Sequence, residues 1–418
     1  MMDAATTAEA GSVPLSLTHY VSLSGFGGVE QQFAAFVRRA AERQALDQSV
    51  VACSRRIHTL HREALAGVGH WRYEKKVCGF KLPQRPAQLR RVRYRWLART
   101  LQPDVALLWN RLGEQARVLD VLGPRRCLYW EHGSAWLAGG VEAKRAVLDR
   151  LPAVICNSRA ARRMLELHWQ YRGVVRVCPN GMRSPQLAAA PRRRAADAPV
   201  RLGTASRLVP VKATCLAIHT LAALVERGVD AWLDIAGDGP LRGDLAALAD
   251  ALGVASRLRF RGVVADMAAF YEQIDLLLHP ALREPFGVVA AEAAAAGCPV
   301  VCSAVDGLPE AVAHGHGGYC VPVTAGLERF RALGGSTDGL PPVVYDPVTD
   351  RIVTPRICEP AALADAVMRV IADPDRYARM SAAAIAHVRT AFDFDAHVDD
   401  VLAAASEYAA TGTLAPAA

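Results

Sequence analysis

Short apolar runs alternate with helix-period stretches almost from one end of the chain to the other, and this alternation is the feature that most restricts the fold. Residues 15–19 form an apolar run. They lead through the glycine-rich 22–28 into the amphipathic 29–43, the opening strand–helix unit of a doubly wound sheet. Further strands are expected at 50–53, 105–109, 127–130 and 154–156, spaced widely enough for helices between them and hence for a parallel sheet. From 184 to 199 the chain turns into Pro, Ala and Arg without a period. A second alternation then begins, with strands at 200–204, 231–236, 258–260, 276–279 and 299–302 and helices at 242–252 and 288–296. The expectation is an α/β protein of two Rossmann-like doubly wound domains facing a central cleft, with ligands bound where strand carboxyl ends meet.

The expected boundaries are a flexible tail at 1–14, a first domain at 15–190, a linker at 191–199 and a second domain at 200–390, followed by a helical segment at 391–418. Residues 323–358 break the rhythm and read as a loop carrying a hairpin, inserted into the second domain. A chain of 418 residues, 52% hydrophobic and 22% charged with mean hydropathy +0.12, is neither disordered nor fibrous. The apolar window 288–305 contains Glu292 and is cut by Gly297-Cys298-Pro299, so it reads as a buried helix and strand rather than a membrane span. Ten cysteines without a C-x-x-C pair, behind a start with no positive charge, point to free thiols in the cytoplasm rather than to metal ligands.

The net charge of +8 conceals a division: residues 1–200 carry +17 and residues 201–418 carry −9. A basic half calls for an anionic partner. Its densest stretch interleaves Arg85, Arg90, Arg91, Arg93, Arg95 and Arg99 with Leu89, Val92, Trp96, Leu97 and Leu101 at helical spacing. This is an amphipathic helix with a cationic face, suited to an anionic membrane surface or acceptor. No nucleic-acid recognition motif accompanies it.

The strongest local motif is Arg283 to Glu292, directly after the strand at 276–279. Pro285 keeps Glu284 out of helical geometry, so a carboxylate and the free N–H groups of a starting helix fall in one place. Amides at a helix start suit a phosphate, and carboxylates accept hydrogen bonds from vicinal hydroxyls, so the pair suits a phosphorylated sugar. Glu292, on an alanine-rich helix expected to be buried on most faces, needs a partner. Arg207 and Lys212 follow the first strand of the second domain and can bracket a diphosphate, neutralising charge as a metal would. Gly237-Asp238-Gly239 ends another strand at the same edge, where glycine permits close backbone approach. His132, at the tip of the strand at 127–130, can bond a sugar hydroxyl or move a proton. Two D-x-D strings, at Asp373 and Asp393, suit turns and helix caps better than a metal.

Taken together, Gly25 to Glu30, Glu131-His132-Gly133, Cys156-Asn157-Ser158, Pro179-Asn180-Gly181, Ser206-Arg207-Leu208 with Lys212, Gly237 to Leu241, Gly262-Val263 and Glu284 with Glu292 at E-x7-E spacing resemble glycosyltransferase family 4. The resemblance runs from about residue 15 to 392. It implies the GT-B fold, with nucleotide sugar held by the second domain, acceptor by the first, and a last helix crossing back to the first. It also implies transfer with retention and without a required metal or other cofactor. Carried over, Arg207 and Lys212 hold the diphosphate, Glu292 the ribose and Glu284 the donor sugar. The amides of Phe286, Gly287 and Val288 contact sugar and phosphate. Val263 meets the base through its main chain, Asp238 and Gly237 line the nucleotide, Gly27 and Gly28 close over the phosphate, and His132 touches the sugar near its reacting face.

The sequence departs from the family pattern at Met182-Arg183, at Glu131 before the histidine, and in the 323–358 insertion. The expected function is transfer of a hexose from a UDP-sugar, with GDP-mannose next, to a hydroxyl of a cell-envelope glycan, lipopolysaccharide or lipid-linked acceptor. It would take place in the cytoplasm, at the inner face of the cytoplasmic membrane, with Arg90, Arg91, Arg93, Arg95 and Arg99 against the membrane. The alternatives are a GT-B sugar-nucleotide epimerase and, from a different class, a nucleic-acid-binding protein using the basic half.

Overall fold

The computed structural model describes residues 14–415, apart from 26, 44–45, 55, 67, 78–79, 84–86, 183–187 and 189. Nearly all of the expected tail, Phe26 of the glycine loop, Arg85 and Arg183 lie outside the described residues. Thirteen strands build two sheets: β1 (Leu15–Val21), β2 (Leu46–Ala52), β3 (His70–Tyr73), β4 (Val105–Leu108), β5 (Cys127–Glu131), β6 (Ala153–Cys156) and β7 (Val174–Val177), then β8 (Val200–Ala205), β9 (Ala231–Ala236), β10 (Leu258–Gly262), β11 (Leu276–His279), β12 (Val300–Ser303) and β13 (Gly318–Val321). The first sheet runs β3-β2-β1-β4-β5-β6-β7 and the second β10-β9-β8-β11-β12-β13. Both orders reverse once, beside β1 and beside β8, which is the doubly wound topology expected from the alternation. Every neighbour pair of the second sheet is parallel, with Val200 opposite Ala231 and Leu277 opposite Val300. The central strands β4, β6, β11 and β12 are buried at every position, because helices cover both faces.

The chain divides into two compact units, one gathering Met1–Trp130, Glu142–Val154 and Val401–Ala415, the other Glu131–Val141, Ile155–Asp400 and Pro416–Ala418. In the first, the helix Gly28–Ala40 buries Phe33, Phe36 and Val37. Trp109 and Trp130 pack with ring centroids 4.4 Å apart, and His19 is a core histidine between Gln48 and the Trp109 indole. Burial pushes its pKa down to about 4. Tyr408, on the last helix Phe394–Thr411, donates to the carbonyls of Pro124 and Cys127 at 2.8 and 3.0 Å.

In the second unit the helices Thr214–Glu226 and Pro360–Ile371 bury Leu216, Leu221, Leu224, Leu363, Val367 and Val370 in one core with β8, β9 and β11. The 323–358 segment belongs to this core. It holds a helix, Leu327–Ala332, beside the expected hairpin of Val344–Asp346 and Arg351–Val353, and buries Phe330, Leu333 and Ile357. The expected linker at 191–199 lies inside this unit, because Arg192 donates to the carbonyls of Tyr271, Glu272 and Ile274 and its amide to Ser381 Oγ. Asp373 and Asp393 cap helices, accepting from the Arg376 and Ala396 amides. The nine described cysteines are free and buried.

Candidate functional site

Four strand ends of the second sheet, on both sides of its switch point, carry the predicted residues from Arg207 to Glu292. Beyond β8 the Ser206 amide donates to Ala236 and the Leu208 amide to Asp238 O, so the Arg207 loop is laced to the turn after β9. Gly237, at φ 127°, fits here because a Cβ would stand 1.8 Å from the Ser206 carbonyl oxygen. Arg207 is exposed and makes no ion pair among the described residues. Asp238 turns its carboxylate back on the Gly239 amide at 2.8 Å. Val263, just past β10, is 81% exposed.

Lys212 ends the short turn Pro210–Lys212 and is followed by Ala213 at φ 49°, a left-handed alanine that begins the helix Thr214–Glu226. Such a conformation costs of order 1 kcal/mol or more and marks a turn held by its surroundings. The Leu282 amide donates to Val211 O, drawing the loop beyond β11 alongside. There Lys212 Nζ meets Glu284 Oε2 at 2.5 Å, and His279 Nε2 reaches the same oxygen at 3.1 Å. Burial opposes ionisation of Glu284, but Lys212 and His279 outweigh it and hold the carboxyl well below the usual range.

Pro285 and buried Phe286 lead to Gly287, which caps the helix Val288–Ala295 at φ 97°. The open amides of its first turn therefore face the loop that carries Glu284. Glu292 is half-buried rather than enclosed and accepts from Tyr271 Oη at 3.0 Å, a partner of the kind that its alanine-rich helix calls for.

Two loops of the same unit close around this one. Gly133, at φ 124°, stands where a Cβ would approach Pro285 Cγ at 2.8 Å. Buried Glu131 accepts from the amides of Gly133 and Ala135 and so shapes the turn that carries His132. Burial, with His397 nearby, pushes the His132 pKa down to about 3, leaving a neutral imidazole. Ser158 Oγ donates to Pro285 O at 2.6 Å, and Glu310 accepts from the amides of Arg159 and Ala160.

The residue that sequence reasoning missed is Asp306. Fully buried, it accepts from Trp136 Nε1 and the Tyr345 amide at 2.8 Å each and from the Glu284 amide at 3.0 Å. It thus joins the His132 loop, the inserted hairpin and the Glu284 loop. Burial drives its pKa up to about 7 against those three donors. The one local signal was an aspartate before glycine just past a buried strand, and the structure holds it at φ 48°.

His132, Arg207, Lys212, Gly237, Asp238, Val263, Glu284, Phe286, Gly287, Val288 and Glu292 all fall in the second unit. Gly27 and Gly28 belong to the first, where Gly27 caps the helix Gly28–Ala40 and donates its amide to Glu30 Oε2 at 3.1 Å.

Residues 199–333 match the family description Glycosyl transferases group 1. The D-inositol 3-phosphate glycosyltransferase of Streptomyces avermitilis is 33% identical over 42% of this chain and 41% of its own length. The lipopolysaccharide core biosynthesis glycosyltransferase LpsE of Rhizobium meliloti is 30% identical over 49% of this chain and 56% of its own. The chain thus matches about half the length of these relatives. Among solved structures, Anabaena HepE in complex with UDP and glucose superposes with TM-score 0.69 at 19% identity, covering 94% of this chain and 99% of that one. WaaG, a glycosyltransferase involved in lipopolysaccharide biosynthesis, does so with TM-score 0.60 at 16% identity, over 92% and 98%. The fold is GT-B, and the resemblance to glycosyltransferases of the family 4 kind holds.

Proposed function

We propose that the protein transfers a hexose, with retention and without a metal, from a nucleoside diphosphate sugar to a hydroxyl of an envelope glycan or lipopolysaccharide acceptor. The observation that carries this reading is the meeting of Lys212, Glu284 and a helix start at the switch point of β8 and β11, beside the exposed Arg207. A diphosphate there exchanges the Lys212–Glu284 contact for its own. Glu284, still ionised beside His279, is then free to accept from sugar hydroxyls. The UDP and glucose bound to HepE support a UDP-sugar as donor, with GDP-mannose second, and the names of LpsE and WaaG support the acceptor class.

Neither carboxylate at the Glu284 loop is set to attack the sugar among the described residues: Glu284, once released by Lys212, stays on His279 and is taken up by sugar hydroxyls, and Asp306 spends both oxygens on backbone and indole donors. The step that fits is front-face attack. The acceptor oxygen bonds to the anomeric carbon as the bond to the diphosphate oxygen breaks, and the hydroxyl proton passes to the departing phosphate. Arg207, Lys212 and the amides of Gly287 and Val288 stabilise the charge that develops on the diphosphate. His132, neutral, donates or accepts a hydrogen bond at the sugar without supplying charge. Glu292 takes the ribose, Val263 the base through its main chain, and Gly237 and Asp238 line the nucleotide.

Calorimetric titration with UDP, GDP, ADP and their sugars in EDTA, on the wild type and on Arg207→Ala, tests this reading. One nucleotide binding without metal and weakening at least about tenfold in the variant is expected, as for loss of a charge-assisted contact. Absence of binding by every nucleotide would overturn the assignment.

A further inference from the structure

The stretch from 70 to 101 stands apart from the site. It carries ten Lys and Arg and a single carboxylate, Glu74. That carboxylate is fully buried and held by Arg117 at 3.0 Å, so the exposed charge of the stretch is of one sign. The helix Ala87–Leu101 places Leu97 in the core, while Leu89, Val92 and Trp96, at i, i+3 and i+7, are 45%, 63% and 46% exposed. Soluble helices turn such a stripe inward. Here it forms one wall of an open groove of about 600 Å³ whose other wall is Val77 and Leu82 from the strand pair Lys76–Val77 and Phe80–Lys81 and its exit. Arg90 fixes the helix to the exit of this pair and Arg93 to the end of β3, donating to the carbonyls of Leu82 and Tyr73, and Arg93 also stacks over Trp96 at 4.5 Å. Arg91, Arg95, Arg99 and Lys81 remain exposed, and Phe80 is 81% exposed.

We infer that this groove is a docking site for an anionic bilayer leaflet, taking an acyl chain between Val77, Leu82, Val92 and Trp96 while Arg91, Arg95, Arg99 and Lys81 meet lipid phosphates. Charge complementarity sets the sign of the partner. The apolar walls set its kind: a soluble polyanion gains nothing from five exposed apolar side chains, whereas lipid covers apolar surface and cations together, with aromatic rings at the interface. The inference deepens the acceptor side of the proposed function, since an acceptor built on lipid is met at such a surface.

The full chain is sedimented with phosphatidylcholine vesicles with and without phosphatidylglycerol, across a salt series, and titrated with UDP in the same samples. Binding is expected only to the phosphatidylglycerol vesicles and to weaken with salt. Val92→Asp, an exposed position that leaves the core intact, should lower vesicle binding at least about tenfold, and Arg95→Glu with Arg99→Glu should flatten the salt dependence; both should keep the wild-type UDP titration. Equal binding to neutral vesicles, or a Val92→Asp variant that binds anionic vesicles as the wild type does, overturns the inference. Vesicle binding without UDP binding preserves it while removing the UDP-sugar reading of the donor; UDP binding without vesicle binding overturns it and leaves that reading standing.

Discussion

The loops around Glu284 and the stretch 70–101 both concentrate charge, and they treat it in opposite ways. Around Glu284 each carboxylate is met at short range by fixed donors: Lys212 on Glu284, an indole and two amides on Asp306, two amides on Glu310. Along 70–101 the one carboxylate is buried and the cations look outward beside apolar side chains. Paired groups fixed by hydrogen bonds select one molecule by geometry, because a wrong ligand leaves buried partners unsatisfied. One-signed charge on a half-apolar surface selects a class of partner by sign and wetting, with little demand on atomic position.

The comparison breaks most easily at Glu284. Replacing it with alanine removes the partner of Lys212 and the proposed acceptor for sugar hydroxyls, and kcat/KM should fall by about 10²–10³-fold, as when a positioned polar group is lost from a reacting centre. Steady-state kinetics showing turnover within a few-fold of wild type would reduce the pair to a structural one. Gly237→Ala tests whether the laced loops need their close approach. With a carbonyl oxygen in the way and φ in the left-handed region, it should cost about 2–4 kcal/mol of stability, read as a lower thermal midpoint. The smallest effect sharpens the contrast through pH. Asp306 is raised from 3.8 to about 7 in the folded protein, so its protonated form favours folding. That contribution is complete below about pH 4 and is lost as pH rises through 7. Asp306→Asn cannot ionise, and its thermal midpoint should decline less between pH 5 and 8 than that of the wild type; parallel curves would show that Asp306 does not titrate in this range.

The sheets were legible because parallel strands covered on both faces must be apolar throughout, and 231–236 and 276–279 were bounded to the residue. β3, β7 and β13 were not. His70–Tyr73 is an exposed edge of four aromatic or basic residues without an aliphatic side chain, and Gly318–Val321 begins on a glycine. The Glu284 loop could be read because proline and glycine fix its local geometry. Asp306 could not, since its partners lie 170, 39 and 22 positions away and nothing in its own neighbourhood announces them. The fate of the apolar stripe on the basic helix was likewise out of reach: spacing tells which side chains share a face, and only the packing tells whether another element covers it.

The division of the chain carries a practical consequence. Among the described residues the backbone passes from one unit to the other at 130/131, 141/142, 154/155 and 400/401, and none of these passages falls in the Pro- and Arg-rich 191–199. A gene split at residue 199 would therefore separate neither unit cleanly. The 200–418 fragment would lack Ser158, whose hydroxyl supports Pro285, and Trp136, whose indole supports Asp306. A chimaera meant to exchange the second unit between relatives has to carry the small pieces 131–141 and 155–199 along with it, and leave 401–415 behind.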